Sequence, residues 1–402
     1  MHNRRYSFWR LTVLLLLGAA LVTLSARLQA DTGTCGGVTI TLPFTDVQGN
    51  PFFCSIASAY FSGLTNGTTA TTYTPSQPVL REQMAAFVSR TLDQSLRRGS
   101  RRAALRQWWT PTNFDAHAKS PVGTAPFLVA ADGADLWVAN FGSGTVTRVR
   151  ASDGSILQTW TGADNPIGVL VAQGAVHITG NTNPGRLYTI LPATSGSSPP
   201  VTLTTDQLGA FPQGLAFDGA AIWTANQGGS VSVVINGVTT VSAGFLAPFG
   251  ILYDGSNIWI TDTGDDRLKK LNADASIAAS VPVGDGPQQP VFDGTNIWVP
   301  NRLSNTVTVV RVKDSAGNPL TVPFVLATLT GNGLNDPRTA AFDGQRILVT
   351  NFGGHSVSLW KATDLAPLGS FSTGVNTHPT GVCSDGINFW VTLFGFGQLL
   401  RF

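Results

Sequence analysis

Pro212-Gln-Gly-Leu-Ala-Phe-Asp-Gly219, followed by Ile222-Trp-Thr-Ala-Asn226, is the stretch that decides the fold. A proline opens it, a glycine follows seven residues later, and an apolar run then ends in an amide. The phrase recurs from Pro287 to Gly294 with Ile297-Trp-Val-Pro-Asn301. The Asp-Gly pair signals a tight turn between two apolar runs, because glycine takes φ > 0 without steric cost. The run before the turn is expected as an inner strand and the run after it as a second strand.

Anchored on their glycines, the copies fall at Gly133, Gly174, Gly219, Gly255, Gly294, Gly344 and Gly386, spaced 41, 45, 36, 39, 50 and 42 residues apart. That period matches a four-stranded propeller blade of roughly 40–50 residues. Four positions after the glycine stand Trp137, Trp223, Trp259, Trp298 and Trp390, with Ile178 and Leu348 in the other two copies. Each ring is expected between neighbouring blades, where it would bury on the order of 150–250 Å². The prolines sit where a loop enters the inner strand, a place with no ladder hydrogen bond to donate. Seven positions after the glycine stand Asn140, Asn226, Asn301 and Asn351, with Asp262 in another copy, and they read as caps of the next turn. The Gly174 copy is the weakest, and without it the ring would have six blades.

The last copy leaves room for one more strand, Gln398 to Phe402. Its missing outer strand is expected from the segment around Trp108 and Trp109. Arg106-Gln-Trp-Trp-Thr110 is similar to Leu157-Gln-Thr-Trp-Thr161, the outer strand of the first blade. Such closure removes exposed sheet edges. The expected fold class is therefore all-β. A seven-bladed β-propeller over residues 105–402, closed by an N-terminal strand, follows a small, mostly α-helical module.

Asn301-Arg-Leu-Ser-Asn-Thr-Val-Thr-Val-Val310, Val349-Thr-Asn-Phe-Gly-Gly-His-Ser-Val-Ser358 and Ser372-Thr-Gly-Val-Asn-Thr-His-Pro-Thr-Gly381 resemble the core of the YVTN family of bacterial β-propellers. NHL-type and streptogramin-lyase propellers are similar in repeat. The resemblance spans about residues 105–402 and implies the fold. A streptogramin-lyase site would use histidines with a glutamate. Glu82 is the only glutamate of this chain and lies outside the repeats, so that constellation is not carried over.

Residues 1–30 read as a secretory signal peptide. Arg4, Arg5 and Arg10 precede an apolar run of 14 residues from Leu11 to Leu24, short of the roughly 20 a spanning helix needs. Ala30 offers a small residue at the cut; the alternative is an uncleaved anchor. Cleavage removes four arginines and no acid, so a net charge of +2 becomes −2. The slight basicity belongs to the leader, and nothing points to nucleic acid. A secreted or cell-envelope protein without a transmembrane segment after cleavage is expected.

Residues 31–104 have a different period. Phe44-Thr-Asp-Val47, a helical run from Phe53 to Phe61, Gly63-Leu-Thr-Asn-Gly67, Tyr73-Thr-Pro75 and Leu80-Arg-Glu-Gln-Met-Ala-Ala-Phe-Val88 follow in order. Met84, Phe87 and Val88 fall on one helical face. The order resembles one S-layer homology repeat over about residues 42–92, which in that family implies attachment to cell-wall polysaccharide. That function normally uses three repeats, and one is found. Arg97, Arg98, Arg101, Arg102 and Arg106 form a basic linker. Export would permit Cys35 and Cys54 to pair, while Cys383 reads as a small buried hydrophobe.

The loops entering the inner strands and those following the second strands should meet on one face, around the mouth of the central channel. Asn165, Gln213, Gln288, Asp336, Arg338 and His378 flank the prolines, and Asn140, Asn226, Asn301 and Asn351 follow strand two. This reads as an amide-rich rim for a protein, a peptide or a cell-wall glycan, and no cofactor is expected. His378, Asp336 and Arg338 are the candidate set for a lyase or hydrolase, the alternative to a binding scaffold. Asp262, Asp265 and Asp266 supply oxygens that could hold calcium, although they match no loop signature.

Overall fold

The computed structural model describes residues 30–35, 38–61, 65–81, 83–86, 119–192 and 199–402. The signal peptide, Glu82, the basic linker, Trp108, Trp109 and His117 lie outside the described residues. Contacts divide the chain into two units, Met1–Thr112 and Asn113–Phe402.

In the first unit, strand Thr32–Cys35 pairs antiparallel with Val38–Thr41, and one helix spans Phe53–Phe61. Ile40, Leu42, Phe44, Val47, Phe53 and Ile56 form its core. The Phe44 ring meets Tyr60 edge-on at 5.2 Å. Asp46 accepts the backbone N–H groups of Tyr73 and Thr74, and Asp31 accepts those of Val47 and Gln48. A disulfide joins Cys35 to Cys54, tying hairpin to helix. Arg81 and residues 83–86 are helical, and Met84 is exposed. Phe87 and Val88 lie outside the described residues.

The second unit is a seven-bladed β-propeller of four-stranded antiparallel sheets. Blades one to six begin at Pro126, Pro166, Pro212, Pro248, Pro287 and Pro337; blade seven begins at Pro379. The Gly174 copy is a full blade, built on strands Pro166–Ala172, Ala175–Gly180, Gly185–Ile190 and Thr202–Leu208. Its first hairpin is shifted by one residue, so Pro166 pairs with Gly180 where Pro212 pairs with Asn226.

The tryptophans fill the joints. Trp137, in blade one, packs on Val176, Ile178 and Tyr188 of blade two, and Trp390 packs on Val129, Leu136 and Val138 of blade one. The aspartate of each Asp-Gly turn holds its tryptophan in place. Asp132, Asp218, Asp254, Asp293 and Asp385 each accept the indole N–H five residues on, at 2.7–2.9 Å. Their other oxygen accepts the turn's N–H groups, so one carboxylate fixes both hairpin and joint. Gly219 stands in that turn at φ 102°. Where Leu348 replaces tryptophan, Asp343 takes the guanidinium of Arg346 instead.

An N-terminal strand closes the ring as expected, from a later segment: the outer strand of blade seven is Lys119–Pro121, paired with Gln398–Arg401. At the inner end Thr392 Oγ1 donates to the carbonyl of Phe127 at 2.6 Å, joining blade seven to blade one. Thr179, Thr261 and Thr350 make the same bond to blades three, five and seven. Gly381 lets these inner strands meet, since a Cβ there would lie 2.2 Å from the Phe127 oxygen.

Candidate functional site: the channel mouth

One backbone hydrogen bond recurs in all seven blades. The residue after strand two donates its N–H to the carbonyl of the residue before the blade's first proline: Phe141 to Ala125, Asn181 to Asn165, Gln227 to Phe211, Thr263 to Ala247, Arg302 to Gly286, Phe352 to Asp336 and Phe394 to His378, at 3.0–3.2 Å. The two sets of loops therefore lie together at the mouth. Ala125, Asn165, Phe211, Asp336 and His378 take φ of 47–57°, a left-handed conformation that non-glycine residues adopt at some cost.

The expected amide rim is not a rim. Asn140, Asn226, Asn301 and Asn351 are 0 % exposed. Each donates Nδ2 to two hydroxyls of the adjoining third strand: Thr145 and Thr147, Ser230 and Ser232, Thr306 and Thr308, Ser356 and Ser358. They form a belt inside the blades, where strand three supplies the hydroxyls and loop glycines such as Gly123, Gly209 and Gly284 pack against the amides. Gln213 and Gln288 are buried as well. Gln213 donates to Gln227 Oε1, and Gln288 donates to the carbonyls of Gly286 and Pro287. Asn165 alone of the expected amides is exposed at the mouth.

The acidic trio is also reassigned. Blade four carries Asp262 where others carry asparagine, and Lys269 where others carry threonine or serine. The Lys269 ammonium, 5 % exposed, lies 2.6 Å from both Asp262 and Asp265. Asp262 accepts the N–H groups of Leu246, Ala247 and Gly264 besides, and Asp266 accepts that of Gly286. An ammonium thus stands where a metal cation was considered. Burial alone would raise the Asp262 carboxyl, but Lys269 and the backbone N–H groups overcome it and hold the group below its usual range. Burial likewise opposes the charge on Lys269, and its two carboxylates hold it above its usual range. Among the described residues no group of three or more His, Cys, Asp or Glu is placed to hold a metal ion.

His378, Asp336 and Arg338 do come to one place, but not as a hydrogen-bonded set. Arg338 donates to Asp336 at 2.8 Å, and its guanidinium lies over the Phe352 ring at 4.7 Å. His378 lies 4.6 Å from the same ring, so Phe352 contacts both the imidazole and the guanidinium. His378 Nδ1 donates to the Phe352 carbonyl, and its backbone N–H donates to His355 Nδ1. In their neutral forms His378 then offers an Nε2 acceptor and His355 an Nε2–H donor. Among the described residues no hydrogen bond links either imidazole to a carboxylate.

These contacts continue around the mouth. Arg302 Nε lies 3.6 Å from Asp336, and Phe394 reaches Phe352 at 6.1 Å and Phe127 at 6.3 Å. An arc of charged and aromatic side chains therefore runs from blade five through blades six and seven to blade one. The same positions in blades two to four hold Asn181, Gln227 and Thr263. Phe352, Phe394 and Lys269 were not singled out from the sequence. The two phenylalanines were findable as residues following the end of strand two, and Lys269 as the third-strand residue facing the odd aspartate.

No family model matches the chain, and no curated protein matches it. Solved structures do. A streptogramin B lyase is 14 % identical with TM-score 0.56, over 70 % of this chain and 95 % of that one. Virginiamycin B lyase from Staphylococcus aureus is 14 % identical with TM-score 0.57, over 70 % and 97 %. Hydrazine synthase from Kuenenia stuttgartiensis is 16 % identical with TM-score 0.54, over 73 % and 99 %. At these identities the likeness establishes the propeller fold alone.

Proposed function

We propose that this chain is an exported β-propeller that binds a peptide or protein partner at the channel mouth. The observation that carries the reading is the asymmetry of the mouth. Blades five, six and seven place Arg302, Arg338, Phe352, His378 and Phe394 in one contacting, partly exposed arc. Aromatic and arginine side chains are the groups that dominate protein-binding sites. The bonding of His378 favours recognition over acid–base chemistry, because its Nδ1 goes to the backbone carbonyl of Phe352 and to no carboxylate. The similarity to lyases does not alter this, since the only glutamate lies outside the propeller.

Export is supported by the leader-like first 30 residues and by the Cys35–Cys54 disulfide, a bond that persists in oxidising compartments. The Phe44-Thr-Asp-Val47 corner holding Tyr73 supports an S-layer-homology-like module and an envelope setting. Pull-down on purified wall polymer checks the latter: retention must disappear when residues 31–104 are deleted.

The mouth reading is tested by screening the purified protein against a peptide array and measuring each hit by thermal shift, since a native-state ligand raises the melting midpoint. Hits should vanish in Phe352→Ala and persist in Phe324→Ala, on the outer strand of blade five. Hits indifferent to Phe352 would move the site elsewhere.

A further inference from the structure

We infer that Arg302 and Arg338 form a carboxylate-binding subsite of the mouth, and that its ligand is a peptide with a free C-terminal carboxylate behind an apolar side chain. The inference rests on the mouth being the ligand site and names the chemistry that it takes.

The two guanidinium groups carry about ten N–H donors between them. The structure matches these donors with one carboxylate, Asp336. A single hydrogen bond connects them, from Arg338 Nη2 to Asp336 Oδ2 at 2.8 Å. Arg338 Nε is buried without a partner, and Arg302 Nε and Asp336 Oδ1 face each other at 3.6 Å, beyond hydrogen-bond distance. Buried polar atoms normally find partners, and a charged donor left without one is costly. The remaining edges are reachable, because the Arg302 and Arg338 side chains keep 38 % and 18 % of their exposure. The trio carries a formal charge of +1, so a monoanion balances it, whereas a dianionic phosphate would face Asp336.

Arg338 is also held in advance. The Phe352 ring on one side and Asp336 on the other fix its planar fork, so little side-chain freedom remains to be lost on binding. Beside the fork the surface is apolar: Leu303, next to Arg302, is exposed, Phe352 lies against Arg338, and Phe394 of blade seven reaches Phe352. That surround suits an aliphatic or aromatic side chain better than the hydroxyl-rich face of a sugar. Capture of a chain's terminal carboxylate is an established mode of peptide recognition.

Binding of one apolar-ended peptide is compared, by calorimetry on the intact protein, with its C-terminal amide, its C-terminal phosphate-bearing analogue and an oligouronate. The free acid should bind at least about tenfold tighter than the amide, as expected for loss of a charge-assisted pair. Its affinity should fall with added salt. Arg338→Gln should lose about tenfold for the acid and nothing for the amide, while Arg150→Gln, at the other end of blade one, changes neither. Equal binding of acid and amide, still abolished by Phe352→Ala, overturns the carboxylate subsite and leaves the mouth reading standing. Binding of either that ignores Phe352→Ala overturns the mouth reading instead. Tighter binding of the phosphate or the oligouronate, or no binding of the acid, overturns the inference.

Discussion

Asn301 and Arg302 are neighbours in the chain and belong to two different rings of the molecule. Asn301 is fully buried and bonds within its own blade, to Thr306 and Thr308. Arg302 is half-exposed and reaches the next blade, at Asp336. The same step separates Asn351 from Phe352 and Leu393 from Phe394. The first member of each pair is buried inside its blade, while the second lies past that buried edge. The inner belt therefore answers to stability and the mouth ring to binding. The belt also shows how one corner is built in several chemistries. It is amide on hydroxyl in four blades, carboxylate on ammonium at Asp262 and Lys269, leucine on leucine at Leu393 and Leu400, and Gly180 under the ring of Tyr188 in blade two.

The sharpest way to break the comparison is Lys269→Ala. It leaves Asp262 buried without its counter-charge, a change that typically costs about 3–5 kcal/mol, or roughly 10 °C of melting temperature in a domain of this size. Asp262→Asn with Lys269→Thr, which copies blade five, should restore most of that loss. The pair also predicts a pH dependence. The folded-state pKa of Asp262 lies below its ordinary 3.8, so its contribution is complete above that pH and disappears as the pH falls through the lower folded value. The pKa of Lys269 lies above 10.5, so its contribution is lost only as the pH rises past the raised value. Acid and alkaline melting series on the double variant should show both limbs flattened. A single variant that melts like the parent would sink the ion-pair account.

A smaller effect is expected where the belt is neutral. Asn301→Ala removes two hydrogen bonds and leaves buried Thr308 with the Gly284 N–H as its remaining donor, about 1–3 kcal/mol. Asn301→Leu with Thr308→Leu reproduces the blade-seven corner but strips the Gly284 N–H of its acceptor, so it should recover part of that loss and not all of it. Denaturant melts distinguish the cases. A double variant weaker than Asn301→Ala would show that blades do not exchange corners.

Much of this was legible in the chain. The glycine spacing fixes where hairpins turn, and the tryptophans mark the joints because a large apolar ring four residues past each turn has nowhere else to go. Depth was not legible. Periodicity says that Asn140 and Asn301 end a strand, but not that Gly123 and Gly284 of other loops pack against them. The aspartate of each Asp-Gly pair read as a turn residue, and its grip on the tryptophan five residues on appears only when the hairpin is folded. The closing strand escaped because Lys119-Ser120-Pro121 carries no side-chain signature. It is selected by backbone pairing with Gln398–Arg401 and by the Ser120 bond to the Gly154 carbonyl. The acidic trio misled for a related reason: its counter-charge, Lys269, lies on the next strand, seven residues beyond Asp262.

The smallest stability effect belongs to the mouth, and it gives the comparison its sharpest edge. Phe352 is only half-buried, and its ring touches Arg338, His378 and Phe394. Phe352→Ala removes contacts among side chains that already face solvent and leaves the belt residue Asn351 with both of its serine partners. The expected change in stability is therefore within about 1 kcal/mol, well short of the roughly 3–5 kcal/mol of a buried phenylalanine. Its backbone bonds to Asp336 and His378 do not depend on the side chain, so the loops stay in place. A thermal melt of Phe352→Ala beside Lys269→Ala tests this directly. A loss at Phe352 as large as that at Lys269 would mean that the ring of Phe352 holds the blades together, and that belt and mouth are one structural unit rather than two.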